Sequence, residues 1–543
     1  MPGIIAAIDL AARPGLDARF RAMLEASQAR PFPQVASWGE DAGRAHLGRV
    51  DLGLLEPSAA PASTPDGRYT AIFTGEIVEP TRHAEKLKAL GLPLSGAAIV
   101  LATWLQEGPD GLARLNGSYA FAIWDAEAAR LTAGTDRYAS RPHFYAVEGD
   151  RLFLAPEMRG VIAGLGRTPA PDRLGLAEFL ALEYPLADHT FFEGLHHLPP
   201  GTVVQFDAEG ERRIVYWAPR YAYDGPIRDP EAFLDEAVAL YRQAVARRLE
   251  GDVAVGVSGG TDSRLILAVA DRHDFPTSTF GDDGTPDVEI ARQIAALLGL
   301  DHHVVPLSED FMSANVATIM TWTEGMSSLF HGHNGDRLEI KRQFAPIELK
   351  GMTAEYCRLD AVEAILAEPP RSSAHGLGLL ARRAITGGPV LSRFESEEAL
   401  AKRLLSRIWY CVTPEMAQQV LDPDLAAFLA EAVPASVARE LAALPGPSDV
   451  DRLATFNVRH RQVRFSPFGL RASMSVKEIR KPLDDYDLVD FLLKTPPESR
   501  RKLQDAVIRR THPGLAALPR TGGAPIDADT LRRAALFAEK RLR

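Results

Sequence analysis

The chain has 543 residues, 46% hydrophobic and 24% charged, a mixture that supports two or three packed domains and excludes a disordered or collagen-like protein. Its 61 Lys and Arg against 72 Asp and Glu leave a net charge of -11, which argues against non-specific binding to nucleic acid or an anionic membrane as the main task. The two cysteines, Cys357 and Cys411, are too few for a disulfide framework and fit a reducing compartment.

The segment Met1–Asp9 lacks a basic region, and its apolar run is broken by Asp9 and Arg13, so no secretory signal is expected. No run reaches the roughly 18 apolar residues of a membrane span, and the cytoplasm is the expected location. In the first part of the chain, short β-type runs at 69–74, 118–124, 151–155 and 201–206 are bounded by Gly, Pro, Asp and Asn. They predict antiparallel layers with helices on their faces. Residues 217–226 hold two prolines, a glycine and aromatics without a sustained period, and a linker is expected at 216–230. Then follow a predicted helix at 232–249, a buried strand at 253–257, strands at 277–280 and 346–350, and a helix at 288–298 between them. This alternation predicts a doubly wound α/β sheet. The later chain reads as mostly helical, giving expected domains at 1–215 and 231–543.

The segment Val257-Ser258-Gly259-Gly260-Thr261-Asp262-Ser263 lies between the strand at 253–257 and a helix starting near Asp262. Two glycines let the backbone pass close to an anion, while Ser258, Ser263 and the helix amino terminus aim donors at it. A carboxylate beside phosphates repels them unless a divalent cation intervenes, which makes Asp262 a candidate Mg2+ ligand. The competing reading is a glycine-rich turn with a helix cap, where Ser and Asp are ordinary choices. No Gly-x-x-x-x-Gly-Lys-Ser/Thr segment is present, so this is not a Walker-type loop.

Residues 258–263 resemble the pyrophosphate loop of ATP pyrophosphatases, and the surrounding chain resembles the asparagine synthetase family, which includes β-lactam synthetase and the lasso-peptide macrolactam cyclases. The likeness includes Thr74–Ile77, Leu115–Phe121, Asp136-Arg137, Leu198–Gly201, Asp287 and Glu478–Arg480. It implies an Ntn-hydrolase-like αββα domain of glutaminase type, then an ATP-pyrophosphatase α/β domain with a helical carboxyl-terminal part. It also implies ATP and Mg2+ as cofactors, Thr279, Phe280 and Gly281 at the adenine, and Gly351 at the phosphates. Glutamine-dependent members carry a cysteine directly after the initiator methionine; here that residue is Pro2, which offers no nucleophile. The family's oxyanion-holding Asn is Thr74, and its amine-pocket Asp falls near Gly96. Three losses agree that the first domain does not hydrolyse glutamine, leaving Glu76 and Arg49 structural roles.

In the other half, the resemblance places Glu355 at a second Mg2+-binding carboxylate, with Thr353 replacing a glycine; a surface glutamate is the plainer alternative. Arg520 stands where relatives carry a transition-state lysine; an exposed loop arginine is the alternative. Aligning Glu324 with the glutamate of a Tyr–Glu pair puts His333 at the tyrosine, a candidate base. His331-x-His333 and His302-His303 could suggest metal sites, but each lacks a third ligand, and packing or hydrogen bonding explains both. Cys357 reads as a small buried residue.

These features lead us to expect an AMP-forming amide synthetase that adenylates a carboxylate and takes its amine from a source other than glutamine. Ring closure is the preferred form, either of a β-lactam or of a macrolactam on a precursor peptide supplied by a leader protease. The alternatives are an ammonia-dependent asparagine synthetase and a catalytically degenerate scaffold. No nucleic acid or membrane partner is expected, and a homo-oligomer is open.

Overall fold

A computed structural model describes residues 1–56, 60–352, 356, 359–368, 372, 379, 390–408 and 412–521. Its first part holds two six-stranded sheets, antiparallel throughout. One runs in the order 195–197, 144–148, 151–155, 3–9, 45–51, 34–39; the other runs 210–215, 202–207, 130–135, 117–125, 69–77, 62–63. Alternation along the strands builds four layers. Ile4, Ala6 and Ile8 meet Ile72, Ala120, Ala122 and Trp124 between the sheets. Ile5 and Ala7 turn outward onto the helices Leu16–Ala26 and Met158–Leu165. Phe73, Tyr119 and Phe121 pack the opposite outer face against the helix Gly96–Arg114. The αββα expectation from the resemblance is met.

No strand or helix occurs between Val215 and Pro230. The helix Pro230–Ala246 follows, capped by Asp229, whose side chain accepts from the Glu231 and Ala232 amides. A five-stranded, fully parallel sheet forms the centre of the second part, in the order 302–305, 277–280, 253–256, 347–349, 478–480. Strand order reverses between Val253–Gly256 and Ile347–Leu349, so the carboxyl ends of these two strands open a crevice, the usual ligand position in doubly wound sheets. The edge strand Glu478–Arg480 comes from far down the chain and completes the sheet. Among the described residues no helix is long and apolar enough to cross a membrane.

The two parts are joined by charge. Glu76 pairs with Arg248 at 2.9 Å and Arg480 at 2.8 Å, and Arg141 pairs with Glu478 at 2.5 Å. Arg137 meets Asp490 at 2.7 Å, with its guanidinium 3.9 Å from the ring centre of Tyr486.

Candidate ATP site and the remodelled first-domain pocket

The loop 257–263 leaves the strand Val253–Gly256 and enters the helix Thr261–Val269 at the crevice. It is folded upon itself by short-range bonds. The Ser258 amide donates to Ser263 Oγ at 3.1 Å, the Gly260 amide to Ser258 Oγ at 3.3 Å, and the Gly259 amide to Asp287 Oδ1 at 2.8 Å. Thr279 Oγ1 donates to the Val257 carbonyl at 2.7 Å, tying the loop to the neighbouring strand. The helix Thr261–Val269 begins at Gly260, which offers no side-chain cap, and a helix amino terminus of this kind is a position that suits an anion.

Gly351 approaches this helix so closely that a Cβ there would stand 2.5 Å from the Ser263 nitrogen and 2.8 Å from Asp262 Cβ. The close approach seats the end of the strand Ile347–Leu349 directly against Asp262, which is 3% exposed. Asp262 brings hard oxygen donors to the phosphate loop, which suits Mg2+, an ion usually held by one or two carboxylates with phosphates and water. Glu355, Thr353 and Cys357 lie outside the described residues. Among the described residues no group of three or more His, Cys, Asp or Glu could hold a metal.

The crevice has a volume of about 620 Å³ and is lined by Ser258, Ser263, Phe280, His333, Lys350 and Arg461 among others. Val257, Thr279 and Gly351 also line it. Gly281, at φ 142°, closes the end of that strand by donating to the Val305 carbonyl at 3.2 Å. Arg520 approaches the first turn of the helix Thr261–Val269 from the far end of the chain. Arg264, fully buried, donates to the carbonyls of Leu515, Leu518 and Pro519, and the Thr521 amide donates to the Gly259 carbonyl at 3.1 Å. Arg520 so held pairs with Asp505 and lies 3.5 Å from Thr261 Oγ1.

Glu324 requires a correction. It does not line the crevice beside His333; its two oxygens accept from the amides of Met158 and Arg159, both at 2.8 Å. It therefore caps the helix Met158–Leu165 across the domain boundary, where no local side chain does so. Its oxygens serve that helix while His333 lines the crevice, so the structure does not bring the candidate pair together there. His333 lines the crevice, and so does His331, with Nδ1 2.9 Å from Ser327 Oγ and its pKa lowered by burial. The two rings stand 6.2 Å apart. His302 Nδ1 meets Thr277 Oγ1 at 3.0 Å, while His303 packs on Phe344 at 4.8 Å. Both pairs are thus explained by hydrogen bonds and packing.

Several crevice residues carried no assignment from sequence. Asp287 receives the Gly259 amide and the Thr521 hydroxyl. Arg461 and Phe465 come from an unusual π-helical stretch, Asn457–Phe465, whose widened turn has no clear sequence signature. Glu348, 2% exposed, pairs with Lys350 at 3.1 Å and Lys477 at 3.2 Å. Burial opposes its ionisation, yet the two ammonium groups outweigh burial and lower its pKa to about 2. A depressed pKa adds stability above the ordinary value of 4.5, lost as pH falls toward 2. In thermal melts across that range, the stability gap between wild type and Glu348→Gln is therefore widest above the ordinary value and narrows toward 2; a constant gap contradicts the pairing.

In the first part, Arg49 and Thr74 are engaged by neighbouring carboxylates. Arg49, 2% exposed, faces Asp51 at 2.9 Å and Glu56 at 3.5 Å. Thr74 Oγ1 donates to Asp51 at 3.2 Å, and Glu56 accepts the Gly96 amide. A Cβ at residue 96 would stand 2.4 Å from the Phe73 ring, so the space for an aspartate side chain is filled.

Residues 1–217 match the glutamine amidotransferase domain family, and residues 237–331 match the asparagine synthase family. The chain is 30% identical over 250 residues to the Bacillus subtilis protein named asparagine synthetase [glutamine-hydrolyzing] 3, covering 44% of this chain and 39% of that one. It is 26% identical over 277 residues to the same organism's asparagine synthetase [glutamine-hydrolyzing] 1, covering 49% and 43%. It is 26% identical over 334 residues to amidase chry2 of Gibberella zeae, covering 56% and 46%. These matches span less than half the length of each relative. Two domain matches in this order, on an αββα part followed by a parallel sheet with a phosphate-type loop at its switch point, identify the chain as a member of the asparagine synthetase family.

Proposed function

We propose that this protein is an ATP-dependent, AMP-forming amide synthetase that works without hydrolysing glutamine. The observation that carries the reading is the 257–263 loop, whose Val257, Ser258 and Ser263 line the crevice and whose Gly259 and Thr261 meet the loop carrying Arg520. The serines of the loop and the amino terminus of the helix after it would hold the β- and γ-phosphates, while Phe280 and the backbone near Gly281 would face the adenine. Mg2+, held by Asp262 with the phosphates, would supply charge neutralisation. A substrate carboxylate oxygen attacks the α-phosphorus, the bond to pyrophosphate breaks, and an acyl-adenylate forms. An amine nitrogen then attacks the activated carbonyl, the bond to AMP breaks, and His333, which lines the crevice, would accept the amine proton.

The first domain supports the glutamine-independent half of the reading. Its arginine is neutralised by Asp51 and Glu56, its amine position is filled by Phe73, and Pro2 offers no thiol. Wild-type protein given glutamine is expected to release no ammonia above buffer, measured by coupled glutamate dehydrogenase; steady ammonia release contradicts this half.

An amine carried by the same molecule as the carboxylate suits such an enzyme, because intramolecular attack avoids the entropic cost of bringing in a second reactant. The proposed substrate is accordingly a peptide or small molecule that closes to a lactam, seen by mass spectrometry as a product one water lighter. The relatives' names share asparagine as product, though they name glutamine as the hydrolysed donor; with free ammonium in place of glutamine, a second reading predicts asparagine and AMP from aspartate, ammonium and ATP.

A further inference from the structure

Lys350 directly follows the strand Ile347–Leu349 at the switch point, outside the phosphate loop. Its ammonium lies 3.1 Å from Glu348 and 5.6 Å from the ring centre of Phe280. Glu348 is shared with Lys477, 3.2 Å away. The neighbouring strand makes room for this group: a Cβ at residue 256 would stand 2.8 Å from Glu348 Oε1, and Gly256 has none. One carboxylate between two ammonium groups leaves one positive charge in surplus. The Lys477 side chain is 2% exposed, whereas that of Lys350 is 16% exposed and lines the crevice, so the surplus faces the crevice. A largely desolvated charge is costly without a partner, and an anion in the crevice supplies one.

Position selects the anion. Lys350 stands over Phe280, on the adenine side, and adjoins Gly351, which packs on Ser263 at the pyrophosphate side. Arg520 is engaged by Asp505 and approaches the loop at Thr261. Resting on the ATP-dependent reading above, we infer that Lys350 is the residue that holds the α-phosphate, first of ATP and then of the acyl-adenylate. It remains on the same phosphoryl group while the α-phosphorus exchanges pyrophosphate for the substrate carboxylate and while AMP later leaves. Its donation to the non-bridging oxygens offsets their charge in both steps.

Titration calorimetry with ATP, AMP and pyrophosphate on wild type, Lys350→Met and Lys350→Arg tests this. Lys350→Met leaves Glu348 paired with Lys477, so a neutral buried pair survives, and a thermal melt verifies folding. ATP and AMP affinities are expected to fall about ten- to a hundredfold in Lys350→Met, with pyrophosphate affinity changed by less than about twofold. Lys350→Arg, which keeps the charge, is expected to recover most of the AMP affinity. Unchanged ATP and AMP affinities in Lys350→Met, or an equal loss for pyrophosphate, overturns the assignment. Wild type that binds none of the three ligands instead overturns the ATP reading itself.

Discussion

Asp262→Ala is expected to lower ATP–pyrophosphate exchange by about a thousandfold, because charge neutralisation by a bound cation contributes several kcal/mol to phosphoryl transfer. Asp262 lies in the first turn of the helix Thr261–Val269, 3% exposed, with Gly351 packed against it. A carboxylate at this point repels nucleotide phosphates unless Mg2+ joins them. The substitution should therefore leave metal-free ATP binding equal or tighter while removing the benefit of Mg2+. A helix-terminus role alone predicts a different pattern: a loss of roughly 0.3–1 kcal/mol in stability with exchange intact. Exchange measured with labelled pyrophosphate, beside calorimetry with and without Mg2+, separates the two.

Glu76→Ala is expected to cost about 3–5 kcal/mol of stability, the usual effect of removing one partner from a buried ion pair. Glu76 is the only carboxylate recorded in ion pairs with either Arg248 or Arg480 among the described residues, and these side chains are 3% and 11% exposed. Two guanidinium groups left without it repel each other in a poorly solvated boundary. Arg480 belongs to the edge strand, and its carbonyl accepts the Lys350 amide at 3.0 Å, so the damage reaches the crevice floor. Urea unfolding should show the loss, with Glu76→Gln intermediate because it keeps hydrogen bonds. If the residue instead served glutamine chemistry, the substitution would remove glutamine-dependent ammonia release and leave the unfolding midpoint in place.

The phosphate loop was legible in the sequence because all its parts are local. Strand, glycines, serines and helix start lie within a few residues, and the structure forms strand 253–256 and a helix from Thr261 as expected. The four-layer first domain was legible through alternation and resemblance together. Glu324 was misread because its partners are backbone amides, whose need for a cap leaves no mark on the side-chain pattern. Lys350 went unassigned because its importance comes from Glu348 and from Lys477, far down the chain, which converge only when the strands pair. Arg461 and Phe465 required a π-helical turn to face the crevice, and composition cannot encode that. The pairing of Arg49 with Asp51 and Glu56 was not legible, because charge partners within a folded strand and loop leave no periodic mark in the sequence.

The central claim is that the crevice adenylates a carboxylate and that the first domain contributes no ammonia from glutamine. Labelled pyrophosphate exchange into ATP tests it most directly, run with Mg2+ over a panel of aspartate and of peptides bearing free Asp and Glu side chains, each with and without glutamine. The account predicts exchange with at least one carboxylate, unaffected by glutamine and lost in Asp262→Ala. Absence of exchange across the panel together with no ATP binding, or turnover that requires glutamine and releases glutamate, contradicts it.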